Sequence, residues 1–154
     1  MKIVIANSVE QVESIRPLAI EWKEFCSCDQ FGLDVDIDAF LCGLIELVVT
    51  EDSDLLLLID DDEIIGIMGM TKFQSPFGKE QVANEHYMFI KQGASVTGSK
   101  RLIDAAEEWA KAHKCSHLMM NASNAASELH DKVCKLYERL GLLKFETSYT
   151  KEIV

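Results

Sequence analysis

The first apolar stretch, Lys2 to Ala6, has the length and composition of a β-strand. Ser8 followed by Gln11 then reads as a capping box, in which hydroxyl and amide satisfy free N–H groups at a helix start. Val9, Val12, Ile15, Ala19, Trp22 and Phe25 recur at the spacing of one helical face. Pro17 falls inside that stripe, so the helix is expected to kink or divide there. Cys26 to Asp38 holds turn residues and three alternate acids, Asp34, Asp36 and Asp38. Asp38 is placed to cap a second helical stripe made of Phe40, Leu41, Leu44, Ile45 and Val48.

Two continuous apolar runs follow, Leu55 to Ile59 and Ile64 to Met70, joined by Asp60-Asp61-Asp62-Glu63, the pattern of a β-hairpin. Gly66 and Gly69 in the second run mark a bulge or a close backbone approach. Phe73 to Gln81, with Ser-Pro-Phe-Gly, is a connecting loop, and Val82 to Ile90 is a strand rich in apolar and aromatic residues. Lys91 to Ser99 is a loop of small residues. From Lys100 on, Leu102, Ile103, Ala106, Trp109, Ala110 and His113 form a helical face. Ser116 to Asn121 is a short strand and Ala122 to Ser127 a loop. Leu129, Val133, Leu136, Tyr137 and Leu140 form a last helix ended by Gly141. Leu143 to Ile153 closes the chain as a strand.

The order is β-α-α-β-β-β-α-β-α-β. The hairpin implies antiparallel neighbours, and the β-α-β unit implies a parallel pair. The expected fold is α/β or α+β, a mixed sheet with helices on both faces in one domain over residues 1–154.

Composition narrows the function classes. The 154 residues suffice for one domain with a sizeable core. No apolar run reaches the roughly 20 residues of a membrane span. The N-terminal stretch lacks a signal-peptide core, which makes the cytoplasm the default. A formal charge of −11 disfavours nucleic-acid binding. It suits either long-range attraction of a cationic substrate or solubility alone. The acids lie in short clusters, which argues against a mimic of nucleic-acid charge. Five scattered cysteines without a C-x-x-C pair give no disulfide framework or zinc ribbon. His113-Lys114-Cys115-Ser116-His117 could align metal ligands on a strand, but it reads better as a helix end followed by a strand start.

The candidate chemistry begins at the strand-loop-helix from Val82 to Ala112. Such a unit aims backbone N–H groups, at the positive end of a helix dipole, at one point suited to phosphate oxygens. An ordinary βα turn has the same pattern.

This unit, the element order and the phrase Leu136-Tyr137-Glu138-Arg139-Leu140-Gly141 resemble the GNAT superfamily of acetyl-CoA-dependent N-acetyltransferases. The run LIDAAEEWA resembles the family's central helix, LYERLG its "LYEKLGF" signature, and FETSYTKEI its closing strand. The family's loop reads Arg/Gln-x-x-Gly-x-Gly/Ala. Counting from the strand puts Ser95, Gly98 and Lys100 on its defined positions, and counting back from Trp109 puts Ala94, Thr97 and Ser99 there. Neither register supplies the Arg or Gln. His130 stands where the family often has Asn, before the helix tyrosine.

The resemblance implies acetyl-CoA as cosubstrate, its pyrophosphate cradled by Ser95, Val96, Thr97, Gly98, Ser99 and Lys100. It implies a pantetheine arm held by the main chain at Phe89 and Ile90, where strands Val82–Ile90 and Ser116–Asn121 splay apart. Tyr137 is the implied proton donor and Glu85 the base, with His86 as an alternative relay. The acceptor would be a primary amine on a small molecule or a lysine side chain, attracted by Asp34, Asp36 and Asp38. No nucleic acid or membrane is expected as partner, and a homodimer stays open. The competing function is a non-catalytic module that keeps the GNAT fold but has lost donor binding.

Overall fold

A computed structural model describes residues 1–94 and 96–153. The first strand β1 (Lys2–Ile5) leads into α1 (Val9–Glu13) and α2 (Arg16–Phe25). Ser8 caps α1 by accepting from Gln11 N, while Gln11 Oε1 reaches back to Asn7 N at 2.7 Å. Pro17 divides the helix rather than kinking it. A proline at the first or second helical position gives up an N–H that has no partner anyway, and Pro17 sits there in α2. A short 3₁₀ turn (Cys28–Phe31) precedes α3 (Ile37–Val49).

The cap of α3 is Asp36, not Asp38. Asp36 has extended backbone and accepts from Ala39 N, and Asp38 lies in the first turn, ion-paired to Arg16 at 2.7 Å. Strands β2 (Ser53–Asp60) and β3 (Glu63–Gln74) form the expected hairpin. Its two-residue turn holds Asp61 and Asp62, both at positive φ (44° and 64°), a geometry short polar residues tolerate and one that matches strand twist. A second hairpin leads to β4 (Gln81–Ile90).

Helix α4 (Val96–Ala112) begins four residues earlier than the apolar stripe suggests. Thr97, Gly98 and Ser99 are therefore its first turn and not loop. Strand β5 (His117–Met119) and α5 (His130–Arg139) complete the regular structure. Gly141 ends α5 at φ 87°.

The sheet order is β1-β2-β3-β4-β5, antiparallel except for the β4–β5 pair. Its faces are packed separately. On one face Leu56, Leu58, Met68, Met70 and Ala83 meet Leu102, Ile103, Ala106 and Trp109 of α4 and Tyr137 of α5. On the other, Leu55, Leu57 and Ile67 meet Val12, Ile15, Leu41 and Leu44 from the first three helices. Consecutive leucines in β2 serve opposite faces, which is why that run shows no alternation. Gly69 sits where α3 crosses closely, since a Cβ there would lie 2.5 Å from Leu47 Cδ1.

The expected closing strand from Leu143 to Ile153 does not form. Those residues pair with no strand, and Leu143, Phe145, Tyr149 and Ile153 are 91%, 67%, 93% and 87% exposed. Alternating apolar residues give a pleat's periodicity but no partner. The edge strand β5 offers only a brief ladder, a poor template for a further strand.

Candidate functional site

Strand β4 runs beside β5 only at Val82, Ala83 and Asn84, which pair with His117, Leu118 and Met119. Beyond that point β4 continues to Ile90, whereas the ladder with β5 stops at Met119. Among the described residues, the β5-side edge of Glu85 to Ile90 has no strand partner. The strand pair expected to splay loses its ladder just before Glu85.

A β-bulge shapes the same place. Met70 of β3 faces Glu85 and Gly69 faces Tyr87, so His86 is the extra residue. Bulges re-aim side chains. Glu85 turns into the α4–α5 face and is 2% exposed. His86 stays exposed, its Nε2 2.7 Å from Thr71 Oγ1. The candidate relay and the candidate base are therefore not joined.

Burial raises Glu85 from 4.5 to about 7, opposed only by hydrogen bonding from Asn121. Asn121 N donates to Glu85 Oε2 at 2.8 Å, and Asn121 Nδ2 donates to the Glu85 carbonyl. Tyr137 approaches from α5, 8% exposed, and its hydroxyl donates to the Asn121 carbonyl at 3.4 Å. Burial, with smaller contributions from the charges of Glu85 and Cys134, pushes the phenol above its ordinary value, so it keeps its proton at neutral pH. Glu85 and Tyr137 thus meet through Asn121, which the sequence had not marked. A polar residue ending the apolar Leu118-Met119-Met120 was the only local signal.

Phe89 and Ile90 lie farther along the unpaired edge, Phe89 packed toward α1–α3 and Ile90 toward α4. At the start of α4, Ser95 lies outside the described residues. Val96 to Ser99 contribute first-turn backbone N–H groups that no helical carbonyl can satisfy. Gly98 is buried, and its missing side chain would point at Leu58 Cδ2, 3.0 Å from a built Cβ. Its role is close helix–sheet packing. Lys100 is ion-paired with Asp104 at 2.5 Å. An open hollow of about 440 Å³ beside it is lined by Ile3, Thr97, Lys100, Arg101 and Asp104. Arg101 is a second cation there that sequence reasoning passed over. Neither Glu85 nor Tyr137 lines this hollow.

The acidic segment is less available than its sequence suggests, because Asp36 caps α3 and Asp38 pairs with Arg16. Around it, Trp22 stacks on Phe40 at 5.1 Å, and Phe40 meets the Tyr87 ring edge-on at 5.5 Å. Ser27 N and Trp22 Nε1 donate to Ala125 O and Ala126 O. The segment after α2 is thereby tied to the loop after β5. His113 stacks on Trp109 beyond the end of α4, and β5 starts at His117. Among the described residues there is no cluster of three or more metal-ligating side chains, and no helix is long and apolar enough to cross a membrane.

A family model described as the acetyltransferase (GNAT) family matches residues 18–142. No curated protein sequence matches the chain. Among solved structures, that of a probable acetyltransferase matches with a TM-score of 0.74 and 19% identity, over 100% of this chain and 99% of the other. The ribosomal-protein-alanine N-acetyltransferase from Brucella melitensis biovar Abortus 2308 gives 0.73 and 17%, over 99% of each. The aminoglycoside N-acetyltransferase AAC(6')-Iy, solved with CoA, gives 0.73 and 17%, over 99% of this chain and 93% of the other. At these identities the likeness is one of fold.

Proposed function

The chain belongs to the acetyltransferase (GNAT) family, and on that premise we propose that it acts as one domain, residues 1–154, transferring the acetyl group of acetyl-CoA to a primary amine. The attack is direct, with donor and acceptor bound together. The observation that carries this reading is the end of the β4–β5 ladder just before Glu85, with Glu85 and Tyr137 meeting there through Asn121.

The residues present suit the donor. The first-turn N–H groups of α4, with Lys100 and Arg101 beside them, fit phosphate oxygens. The unpaired edge of β4 at Phe89 and Ile90 offers main-chain groups to an extended, amide-bearing arm, as a sheet edge does to an added strand. When bound, acetyl-CoA supplies an activated carbonyl on a good leaving group. A main-chain N–H of the β4 edge stabilises the charge that develops on the carbonyl oxygen. An alkylammonium must lose a proton before it can attack. A carboxyl titrating near 7 is matched to taking that proton at neutral pH, and its burial calls for a water between it and the amine. Tyr137, protonated at that pH, returns a proton to the departing sulfur.

The acceptor class is a primary amine on a small molecule or a lysine side chain. The structural relative AAC(6')-Iy has been solved with the bisubstrate analogue CoA-S-monomethyl-acetylneamine, an amine-derived ligand in the same fold. The net charge of −11 favours encounter with cations.

A second reading, a GNAT-fold module without donor binding, is favoured by the loop, which lacks the family's Arg or Gln, and by the pairing of Lys100 with Asp104. Calorimetry and thermal melting with acetyl-CoA and with CoA separate the two. The enzyme reading expects a melting temperature that climbs with ligand, by the equivalent of about 2.7 kcal/mol at a hundredfold excess over Kd. No change at millimolar acetyl-CoA refutes it.

A further inference from the structure

Asn121 makes contacts that neither packing nor strand pairing requires. Its backbone N–H holds Glu85 Oε2 at 2.8 Å, and its backbone carbonyl receives the Tyr137 hydroxyl at 3.4 Å. Its side-chain Nδ2 donates to the Glu85 carbonyl and lies 3.4 Å from Asn84 Oδ1. The parallel ladder has just ended at Asn84 and Met119. A side-chain amide therefore stands in for the next rung, and the main-chain groups beside it are freed for other partners. A continued strand would have spent that N–H and carbonyl on the ladder.

We propose that Asn121 is a positioning residue for acetyl transfer: its side chain pins the chain to β4 so that its own N–H fixes the Glu85 carboxylate and its carbonyl aims the Tyr137 hydroxyl. The proposal rests on the reading of Glu85 and Tyr137 as base and acid. The groups facing Glu85 can be named. From α5 comes Tyr137, with Cys134 acting on Tyr137 in turn. From β3 comes Met70, and from the chain after β5 comes Asn121, neither of which titrates. Only Asn121 opposes the effect of burial on Glu85. Removing the side chain lets the backbone N–H drift from the carboxylate, which favours the protonated form.

The test needs neither donor nor acceptor, so its failure is distinct from failure of the acetyltransferase reading. The side-chain carboxyl of Glu85 is followed by carbon-13 NMR in the full chain from pH 4 to 9, its signal assigned by its disappearance in Glu85→Gln. In the unaltered protein the midpoint is expected at about 7. Asn121→Ala should raise it by about one pH unit, the size of one lost hydrogen bond to a charged group. Asn121→Asp keeps the shape, adds a like charge and should raise it further. Tyr137 supplies a second readout, since its ring signals should broaden or shift in Asn121→Ala while those of Trp109 stay fixed. An unmoved Glu85 midpoint in a folded Asn121→Ala or Asn121→Asp protein overturns the proposal. Failure of both variants to fold overturns it as well, because Asn121 would then be structural.

Discussion

Glu85→Gln should change the way stability depends on pH, and the sign follows from the burial of this carboxyl. In the unfolded chain Glu85 ionises near its ordinary 4.5, and in the fold near 7. Below 4.5 the group is protonated in both states and burial carries no ionic penalty. As pH rises from there through 7, the unfolded state ionises first, and the native state loses stability relative to it. The difference between the two values corresponds to about 3 kcal/mol, complete above pH 7. Glutamine keeps the shape and a neutral acceptor for Asn121 N, so it mimics the protonated acid at every pH. The variant should therefore be more stable by about 1 kcal/mol at pH 5 and by about 3 kcal/mol at pH 8. Urea unfolding between pH 5 and 8, followed by tryptophan fluorescence, measures both curves. Other carboxylates titrate alike in both proteins and cancel in the difference. A difference that stays constant across this range refutes the reasoning, because Glu85 would then ionise as a free residue does. On the reading of Glu85 as the base, activity should move the opposite way.

Tyr137→Phe should lower turnover roughly a hundredfold while leaving acetyl-CoA affinity unchanged by calorimetry; parallel losses of activity and stability would make the ring structural. Gly98→Val should destabilise the protein by about 1–3 kcal/mol in urea unfolding through its clash with Leu58, and should weaken acetyl-CoA by displacing the start of α4. Asp36→Ala should cost about 1 kcal/mol through loss of the α3 cap, measured the same way. Asp38→Asn should shift the unfolding curve less than Asp36→Ala, since it loses only an exposed ion pair with Arg16 and no cap.

The elements whose partners lie nearby, or whose burial is one-sided, were readable. The stripe of Leu102, Ile103, Ala106 and Trp109 fixed α4 because one helical face meets the sheet. The acids between two apolar runs fixed the β2–β3 turn. The choice between kink and division at Pro17 needed the backbone, and so did the choice of cap. Asp36 and Asp38 carry the same side chain, and extended backbone at Asp36 alone decides between them. The start of α4 was hidden because Thr97, Gly98 and Ser99 are poor helix formers held in place by burial of Gly98 against β2. The alternation in Leu143 to Ile153 misled because periodicity describes a strand's faces and says nothing of its neighbours. Among the catalytic candidates, Tyr137 and Glu85 are placed together by the fold. The residue that joins them, Asn121, lies 36 positions from Glu85 along the chain, and no local pattern could link the two.

The lacing of β4 has a consequence for how the molecule opens. On one side this strand is bonded to β3 from Gln81 to Ile90, and on the other to β5 at Val82, Ala83 and Asn84 alone. Beyond the antiparallel plate of β1 to β4, β5 and α5 are held by those rungs, by the Asn121 amide, by Tyr137 in the core it shares with α4, and by Ser27 and Trp22, which donate to Ala125 and Ala126. Opening of this short ladder should uncover Glu85 at lower cost than opening of the plate. In amide exchange, Leu118 and Met119 should therefore lose protection well before Leu56 or Met68. On the reading of this edge as the donor site, acetyl-CoA bound there should slow the exchange of Leu118 and Met119 in turn.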